Sequence, residues 1–286
     1  MTVKVSVLMP VYKTQEEHLR ASIQSILNQT FTDFELLIVD DCPSDTREDI
    51  VKSYSDRRIK YFKNDQNMGI SRARNKLIDL SSGEYLAVFD HDDISLPTRL
   101  EKEVKYLDSH PNVGVVSSWW KSFPRSNIIS KNPEKDHDIK VMLSEYCIVS
   151  HTASMIRKSV LIDNNIRYEE EYSPSEDYML WCRLIDYTEF YNIPEVLSLY
   201  RIHPGSTTNH QLKKMELMTW KIRVMMRSSH PELYREYQFL AQHIYRISLF
   251  GLIPIFKIEL VGYTKKIFLF DKILLMKIRY GSRLPR

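Results

Sequence analysis

The sequence predicts an α/β fold in which helices flank a mostly parallel central sheet, followed by a helical C-terminal extension. Over residues 1–120, short apolar runs alternate with segments whose apolar residues recur at helical spacing, as in βαβ units. After Asn209, helical spacing dominates to the end of the chain. With 286 residues, of which 43% are hydrophobic, the chain is long enough to bury a large core.

The βαβ elements occupy the first 120 residues. Five apolar runs of strand length are predicted to form the sheet: Val3–Met9, Glu35–Val39, Ile59–Phe62, Tyr85–Phe89 and Val113–Val116. The segments between these strands are predicted to be helices. Either their apolar residues share one face, or a capping residue or a proline marks one end. They are residues 19–27, Thr46–Ser53 after Asp45, Ser71–Leu80 and the segment from Pro97 to Pro111.

The pattern weakens after the fifth strand. Ser122–Asp138 is polar and contains two prolines, which predicts an irregular stretch. Order resumes between Ser150 and Arg201, where Asp177–Ile185 has helical spacing and Val196–Tyr200 has the length of a short strand.

Composition excludes several classes of protein. A net charge of only +3 argues against a nucleic-acid partner. Cys42, Cys147 and Cys182 are far apart, so neither a zinc site nor a disulfide framework is indicated, and reduced thiols suit the cytoplasm. The N-terminus lacks a signal-peptide pattern, and no apolar run reaches the ~18 residues of a spanning helix. The expected location is therefore the cytoplasm, with the inner face of the cell membrane as an alternative.

Polar groups follow three predicted strands where each strand ends. The first strand leads into Pro10-Val11-Tyr12, the second into Asp40-Asp41 and the fourth into Asp90-His91-Asp92-Asp93. Ligands of open parallel sheets bind beyond the carboxyl ends of the strands, where loops and helix starts converge. The three segments therefore predict one binding site at this edge of the sheet.

The glycines indicate which kind of phosphate site to expect. Only seven occur, and none forms GxGxxG or GxxxxGK[ST], so a backbone-amide cradle for phosphate is not predicted. Carboxylates that hold a divalent cation offer another way to neutralise a diphosphate. Asp90 and Asp92 suit Mn²⁺ or Mg²⁺, and the alternative is a solvated acidic turn or helix cap.

The chain resembles glycosyltransferase family 2, whose members have the GT-A fold. The resemblance covers about residues 3–208 and rests on motifs in the expected order: Val5–Tyr12, Glu35–Asp41, Asn67–Asn75, Gly83–Tyr85, Asp90–Asp93, Ser175–Tyr178 and Tyr200–His203. One departure is Cys42-Pro43-Ser44-Asp45, where the family usually has Gly-Ser-x-Asp. The resemblance implies a catalytic domain over residues 1–208, with a nucleotide-binding part (1–120) and an acceptor-binding part (121–208), and an extension over 209–286.

The resemblance also implies roles for individual residues. Asp41 matches the aspartate that binds the uracil edge, and Tyr12 the aromatic beside that base. Asp90 and Asp92 match the Asp-x-Asp motif, in which Asp92 touches the metal and Asp90 lies nearer the ribose or a metal-bound water. The residues assigned to the sugar nucleotide are Pro10, Tyr12, Asp41, Asn67, Arg74, Asp90, His91, Asp92 and Arg201, and those assigned to the metal are Asp92, Asp90 and His203.

Glu176-Asp177 precedes a predicted helix, so one interpretation is a helix cap and first-turn acid. The family pattern instead implies that Asp177 is the general base and that Glu176 orients the acceptor or supports Asp177. A single base and a single displacement imply inversion at the anomeric carbon.

Other candidates stay open. His203 is a third metal ligand, a phosphate donor or a surface histidine, and Arg201 pairs with the diphosphate or with Asp177. His151 is expected to line the sugar or acceptor pocket. Trp119 and Trp120 are interpreted as core and rim rather than as a sugar platform.

The C-terminal segment 260–286 permits three interpretations. Its predicted helix has one apolar and one basic face, formed by Leu269, Ile273, Met276 and Tyr280 and by Lys265, Lys272 and Arg279. It packs on the catalytic domain, binds an anionic membrane, or forms a homodimer through Phe250, Phe256 and Phe268.

The predicted function is an inverting, Mn²⁺- or Mg²⁺-dependent transfer of a hexose or N-acetylhexosamine from a UDP-sugar donor. The predicted acceptor is a hydroxyl of a growing surface glycan such as capsule, lipooligosaccharide or O-antigen, with a lipid-linked form as one option. One alternative is a nucleotidyltransferase, although Pro10–Thr14 lacks its glycine- and basic-rich loop. The other is a non-catalytic protein that binds sugar nucleotides or glycans.

Overall fold

The computed structural model describes residues 3–124, 126–203 and 211–241, together with four strands between 245 and 279. Two compact units divide the chain, residues 1–139 with 147–222, and residues 140–146 with 223–286. The described helices are α1 (Glu16–Leu27), α2 (Glu48–Lys52), α3 (Ile70–Leu80), α4 (Arg99–Ser109), α5 (Asp136–Leu143), α6 (Lys158–Asp163), α7 (Glu176–Leu184), α8 (Leu212–Ser229) and α9 (Pro231–Ala241).

The larger unit is built on one mixed sheet. Its described strands are β1 (Val5–Val11), β2 (Phe34–Asp40), β3 (Ile59–Lys63), β4 (Tyr85–Val88), β5 (Ile94–Ser95), β6 (Val113–Phe123), β7 (Ile129–Ser130), β8 (Ser154–Arg157) and β9 (Glu189–Arg201). The order is β3-β2-β1-β4-β8-β6-β9-β5, with β7 on β6. Strands β3, β2, β1 and β4 run parallel, and β8 is antiparallel to both of its neighbours. The predicted α/β fold is confirmed.

The core explains why the central strands read as continuous apolar runs. Every residue of β1 and β2 is buried, because helices cover both faces of a parallel sheet. The inner faces of α1 and α4 pack into one cluster with β1, β2 and β4. Gly83 allows the close approach of the chain before β4, since a Cβ there would lie 2.5 Å from the Ser6 backbone nitrogen.

The structure corrects the sequence prediction in the middle of the chain. Strand β6 continues to Phe123, and β7 and α5 lie inside or beside the stretch Ser122–Asp138 that was expected to be irregular. Strand β9 begins at Glu189, before the predicted Val196. Pairing with neighbouring strands, which periodicity does not report, extends both elements.

The smaller unit corrects the end of the chain. Helices α8 and α9 confirm a helical C-terminal region, but residues 245–279 contain β10 (Tyr245–Leu249), β11 (Ile253–Val261), β12 (Thr264–Leu269) and β13 (Ile273–Arg279), an antiparallel sheet in that order. The prediction that Leu269 and Ile273 share one face of a helix is wrong. Leu269 ends β12 and Ile273 begins β13, and the two residues pair with each other across these strands. Isoleucine and phenylalanine are abundant in the sequence here and favour strands. Phe250, Lys272 and Tyr280 lie outside the described residues.

No helix among the described residues has both the length and the hydropathy needed to cross a membrane.

Candidate donor and catalytic site

The three polar segments predicted to share one sheet edge are joined there by hydrogen bonds. The carbonyl oxygen of Val11, at the end of β1, accepts a bond from the Asp41 backbone N–H at 2.9 Å. Nδ1 of His91, after β4, donates to the Pro10 carbonyl oxygen at 2.9 Å. The ends of β1, β2 and β4 therefore form one connected rim, as the parallel pairing requires.

The two adjacent aspartates after β2 have different partners. The buried Asp40 carboxylate accepts bonds from the Cys42 and Arg47 backbone N–H groups at 3.0 and 2.6 Å and from the Tyr61 hydroxyl at 2.8 Å. Asp40 thus fixes the turn in which Cys42-Pro43 replaces the usual glycine.

Asp41 holds the loop before α3. Its Oδ1 accepts bonds from Asn64 Nδ2 and the Met68 N–H at 2.7 and 2.8 Å, and its Oδ2 accepts one from the Gly69 N–H at 2.8 Å. Asn67 Oδ1 accepts a bond from the same Gly69 N–H at 2.9 Å. The backbone φ of Gly69 is +82°, a conformation that favours glycine. Asp41 Oδ2 accepts a single protein bond, so it can accept another from a ligand N–H.

The acidic loop after β4 contains two partly exposed carboxylates. Asp92 Oδ2 accepts a bond from His203 Nε2 at 2.8 Å, and the Asp92 carbonyl oxygen accepts one from Arg201 Nε at 2.6 Å. Burial acts to raise the pKa of Asp92, but the nearby His91 and His203 hold that pKa below its ordinary value. Asp90 is the more exposed of the two, with 29% of its side-chain surface accessible.

Asp93 anchors this loop rather than facing the site. It is buried, and its Oδ1 accepts a bond from the Arg201 backbone N–H at 2.7 Å. Burial, together with the Asp92 and Asp90 carboxylates, raises the pKa of Asp93 well above its ordinary value. The Arg201 guanidinium donates to the Asp92 carbonyl oxygen. It is therefore directed to the acidic loop and not to Asp177, which was one of the two predicted partners.

Arg74 connects the acidic loop to the second acidic pair. Its buried guanidinium donates to Glu176 Oε1 at 2.5 Å and to Asp90 Oδ1 at 3.1 Å. The Tyr168 ring lies 5.5 Å from the guanidinium carbon. Arg74 lies on α3 and Glu176 begins α7, 102 residues later, so one side chain joins two distant parts of the chain.

Asp177 lies beside this bridge at the first turn of α7. Its Oδ1 accepts a bond from the Tyr178 backbone N–H at 2.7 Å, which agrees with a first-turn acid, and Oδ2 lies 3.9 Å from the Cys147 sulfur. Burial, followed by the negative charge of Glu176, raises the pKa of Asp177 to about 6. A carboxylate with that pKa is largely ionised at neutral pH and is suited to accept a proton.

Several predicted residues have other surroundings. Tyr12 is 43% exposed at the rim, where the Lys13 ammonium lies 5.3 Å from its ring centre. His151 is buried and hydrogen-bonded through Nε2 to the Tyr168 hydroxyl at 2.9 Å, and burial lowers its pKa to about 3. Trp120 belongs to β6, where its ring lies 5.3 Å from that of Tyr200.

Three further residues belong to the site but were missed. The His18 ring lies 5.4 Å from that of His203, edge to face. Thr152 Oγ1 accepts the Asp90 backbone N–H at 3.2 Å, and Tyr168 lies against Arg74. Their partners are distant in the chain and no motif contains them, so the sequence carried no signal for them.

A divalent cation such as Mg²⁺ needs several oxygen or nitrogen ligands that converge on one point. Among the described residues, no group of three His, Cys, Asp or Glu side chains is arranged to hold a metal ion alone. Mg²⁺ and similar ions, however, are commonly held by one or two carboxylates together with substrate phosphates. The partly exposed Asp92 carboxylate, whose Oδ2 accepts a hydrogen bond from His203, fits such a set as one of its carboxylates.

Known proteins resemble this chain in sequence. The profile of Glycosyl transferase family 2 matches residues 6–164. An uncharacterised glycosyltransferase of Methanocaldococcus jannaschii is 36% identical over 225 residues, 76% of this chain and 77% of that protein. The putative glycosyltransferase EpsE of Bacillus subtilis is 32% identical over 71% of this chain and 74% of its own length. The Escherichia coli protein WfaP, a UDP-Glc:α-D-GlcNAc-diphosphoundecaprenol β-1,3-glucosyltransferase, is 26% identical over 74% of this chain and 82% of its own length.

Two solved structures show the same GT-A fold. Staphylococcus aureus TarS 1–349 in complex with UDP-GlcNAc superposes with a TM-score of 0.63 at 22% identity, over 75% of this chain and 65% of that one. The mannosyltransferase PcManGT of Pyrobaculum calidifontis, in complex with GDP-Man and Mn²⁺, has a TM-score of 0.62 at 14% identity, over 83% and 70% of the two chains.

Proposed function

The chain belongs to glycosyl transferase family 2, and from that premise we propose an inverting, metal-dependent transfer of a hexose or N-acetylhexosamine from a UDP-sugar to a glycan hydroxyl. The observation that carries the proposal is the Arg74 bridge. One buried guanidinium contacts Asp90 of the acidic loop and Glu176 beside Asp177. A donor held by the acidic loop and a base at Asp177 would therefore act on the same bond.

The proposed donor is a UDP-sugar bound along the rim. Asp41 Oδ2 would accept a hydrogen bond from the uracil N–H. A carboxylate oxygen has two lone pairs, and the Gly69 N–H uses one of them. Tyr12 would lie against the base, with Pro10, Asn67 and His91 shaping the rim around it. The names of WfaP and of the TarS complex, which mention UDP-Glc and UDP-GlcNAc, support a uridine nucleotide.

We propose that Asp92, Asp90 and His203 would hold Mn²⁺ or Mg²⁺. When bound, the cation supplies positive charge that stabilises the departing diphosphate. Arg201 would hold the acidic loop in place, because its backbone N–H donates to the Asp93 carboxylate and its side chain donates to the Asp92 carbonyl oxygen. The Mn²⁺ named in the PcManGT complex supports this assignment.

Asp177 would act as the general base. Its carboxylate takes the proton from the acceptor hydroxyl while that oxygen forms a bond to the anomeric carbon. The bond from the anomeric carbon to the diphosphate breaks, and UDP leaves with the electron pair. Glu176 would support Asp177, because its negative charge helps to raise the pKa of the base. A single displacement inverts the configuration.

The proposed acceptor is a growing surface glycan, such as capsule, lipooligosaccharide or O-antigen, carried on a lipid. The name of WfaP mentions an acceptor on diphosphoundecaprenol, which supports a lipid-linked sugar. Such an acceptor would place the enzyme in the cytoplasm at the inner face of the membrane. Residues 1–120 would bind the nucleotide and 121–208 the acceptor, with 209–286 as an extension.

A screen of UDP-Glc, UDP-Gal and UDP-GlcNAc that measures UDP release tests the proposal. We expect turnover with one donor, lost with EDTA and restored by Mn²⁺ or Mg²⁺. Asp177→Asn should abolish turnover while UDP still binds in calorimetry. Asp79→Asn, at a carboxylate with 64% of its side-chain surface exposed, is the matched control. UDP binding without turnover of any donor would favour the non-catalytic alternative. Release of pyrophosphate in a separate reaction supplied with UTP and a sugar phosphate would favour a nucleotidyltransferase.

A further inference from the structure

Helix α8 is apolar on two opposite faces. Met218, Ile222 and Met226, four residues apart, form its buried face. Its other apolar face, which we call the outer stripe, consists of Leu217, Trp220 and Val224, with exposed fractions of 51%, 58% and 43%. At 100° per residue the outer stripe lies nearly opposite the buried face. A surface helix normally presents polar residues there, so the outer stripe needs an explanation.

Lysines flank the outer stripe. Lys213 and Lys214 are exposed in the first turn of α8, and Lys221, with 41% of its side-chain surface exposed, lies about two turns further on. The Lys221 ammonium forms an ion pair with the exposed Glu171 carboxylate, at an N–O distance of 3.6 Å. Glu216 is the only acid in the sequence of this helix. Tryptophan beside apolar residues and lysines is typical of helices that lie in a membrane interface.

We propose that the outer stripe of α8 docks on an anionic lipid surface, with its lysines on the headgroups; the proposal rests on the lipid-linked acceptor proposed above and adds the surface that meets the lipid. Charge complementarity selects this occupant over a second copy of the chain. A twofold interface through the outer stripe would bring together two helices that each carry five basic residues and one acidic residue in sequence, and the two helices would repel. An anionic headgroup layer attracts each of them.

This surface differs from the segment 260–286 considered from the sequence. A truncation of that segment would therefore leave α8 able to bind lipid, whereas substitutions on the outer stripe would not.

Co-sedimentation of the full chain with vesicles tests the proposal. The probes are vesicles of phosphatidylcholine alone and of phosphatidylcholine mixed with phosphatidylglycerol. We expect binding to the anionic vesicles to be about tenfold tighter and to fall about tenfold in L217E/W220E. Lys213→Glu with Lys214→Glu should remove the preference for anionic vesicles. Ile128→Glu, at another exposed apolar residue (67%), should bind like the wild type.

Two outcomes overturn the proposal. One is equal vesicle binding by wild type and L217E/W220E, with an unchanged thermal melt to show that the variant folds. The other is a dimer of the wild type that L217E/W220E converts to a monomer in light scattering, which would make a second copy the occupant. UDP release without lipid is measured in parallel: its absence in every variant contradicts the proposed function, whereas vesicle binding reports on α8 alone.

Discussion

The ionisation of Asp177 should set the low-pH limb of the rate. A base must be deprotonated to act, and burial with the charge of Glu176 raises the pKa of Asp177 to about 6. For that pKa, about one tenth of Asp177 is ionised at pH 5 and about nine tenths at pH 7. We therefore expect kcat/KM to fall about tenfold for each pH unit below 6. An aspartate with its ordinary pKa of 3.8 would keep nearly full activity at pH 5.

Glu176→Gln tests whether the charge of Glu176 contributes to the raised pKa of Asp177. The substitution keeps the shape of the side chain and removes the negative charge that raises the pKa of Asp177, so the low-pH limb should move to lower pH by about one unit. It should not reach 3.8, because burial, the largest cause, remains. Arg74→Met removes a positive charge that lowers the same pKa, and its limb should move to higher pH.

The assay is UDP release with the donor at low concentration, measured from pH 4.5 to pH 8 in buffers of constant ionic strength, since kcat/KM reports the free enzyme. Glu195→Gln, at an exposed residue paired with Lys102, is the control and should leave the profile unchanged. A wild-type limb below pH 5, or a limb that moves upward in Glu176→Gln, would refute the assignment of Asp177 as the base.

Three further predictions concern the metal and the scaffold. Asp92→Ala should weaken Mn²⁺ binding in calorimetry about tenfold or more, and unchanged binding would remove Asp92 from the metal site. Arg99→Met should destabilise the protein to urea by ~3–5 kcal/mol at pH 8, because it leaves the buried Glu103 without its ion partner. The deficit should shrink at pH 5, since burial raises the pKa of Glu103 to about 7 and the protonated form is neutral there; an equal deficit at both pH values would contradict this. Gly83→Ala should cost ~1–3 kcal/mol, because its Cβ would meet the Ser6 backbone at 2.5 Å, and an unchanged urea midpoint would show that this approach relaxes freely.

The local pattern of apolar residues was enough to predict the strands of the first 120 residues. It was not enough to predict pairing between strands that are distant in the chain. All five predicted strands of the first 120 residues are present, and three of them, β1, β2 and β4, are buried along their whole length, as strands inside a parallel sheet are. Strand β9 was predicted too short because its first half is stabilised by β6, a strand more than 60 residues earlier in the chain. The C-terminal strands were predicted as helix because Leu269 and Ile273 satisfy both a helical spacing and a hairpin pairing.

The sequence by itself determined the fold class and the edge of the sheet at which Asp41, Asp90 and Asp92 meet, because parallel strands deliver their carboxyl ends to one side. The tertiary structure alone decided what each carboxylate does there. It separated Asp40, which fixes a turn, from Asp41, and it joined Asp90 to Glu176 through Arg74. The reason is physical: burial and charge partners set the behaviour of a carboxylate, and the partners here come from segments as much as 111 residues apart, which no local pattern specifies.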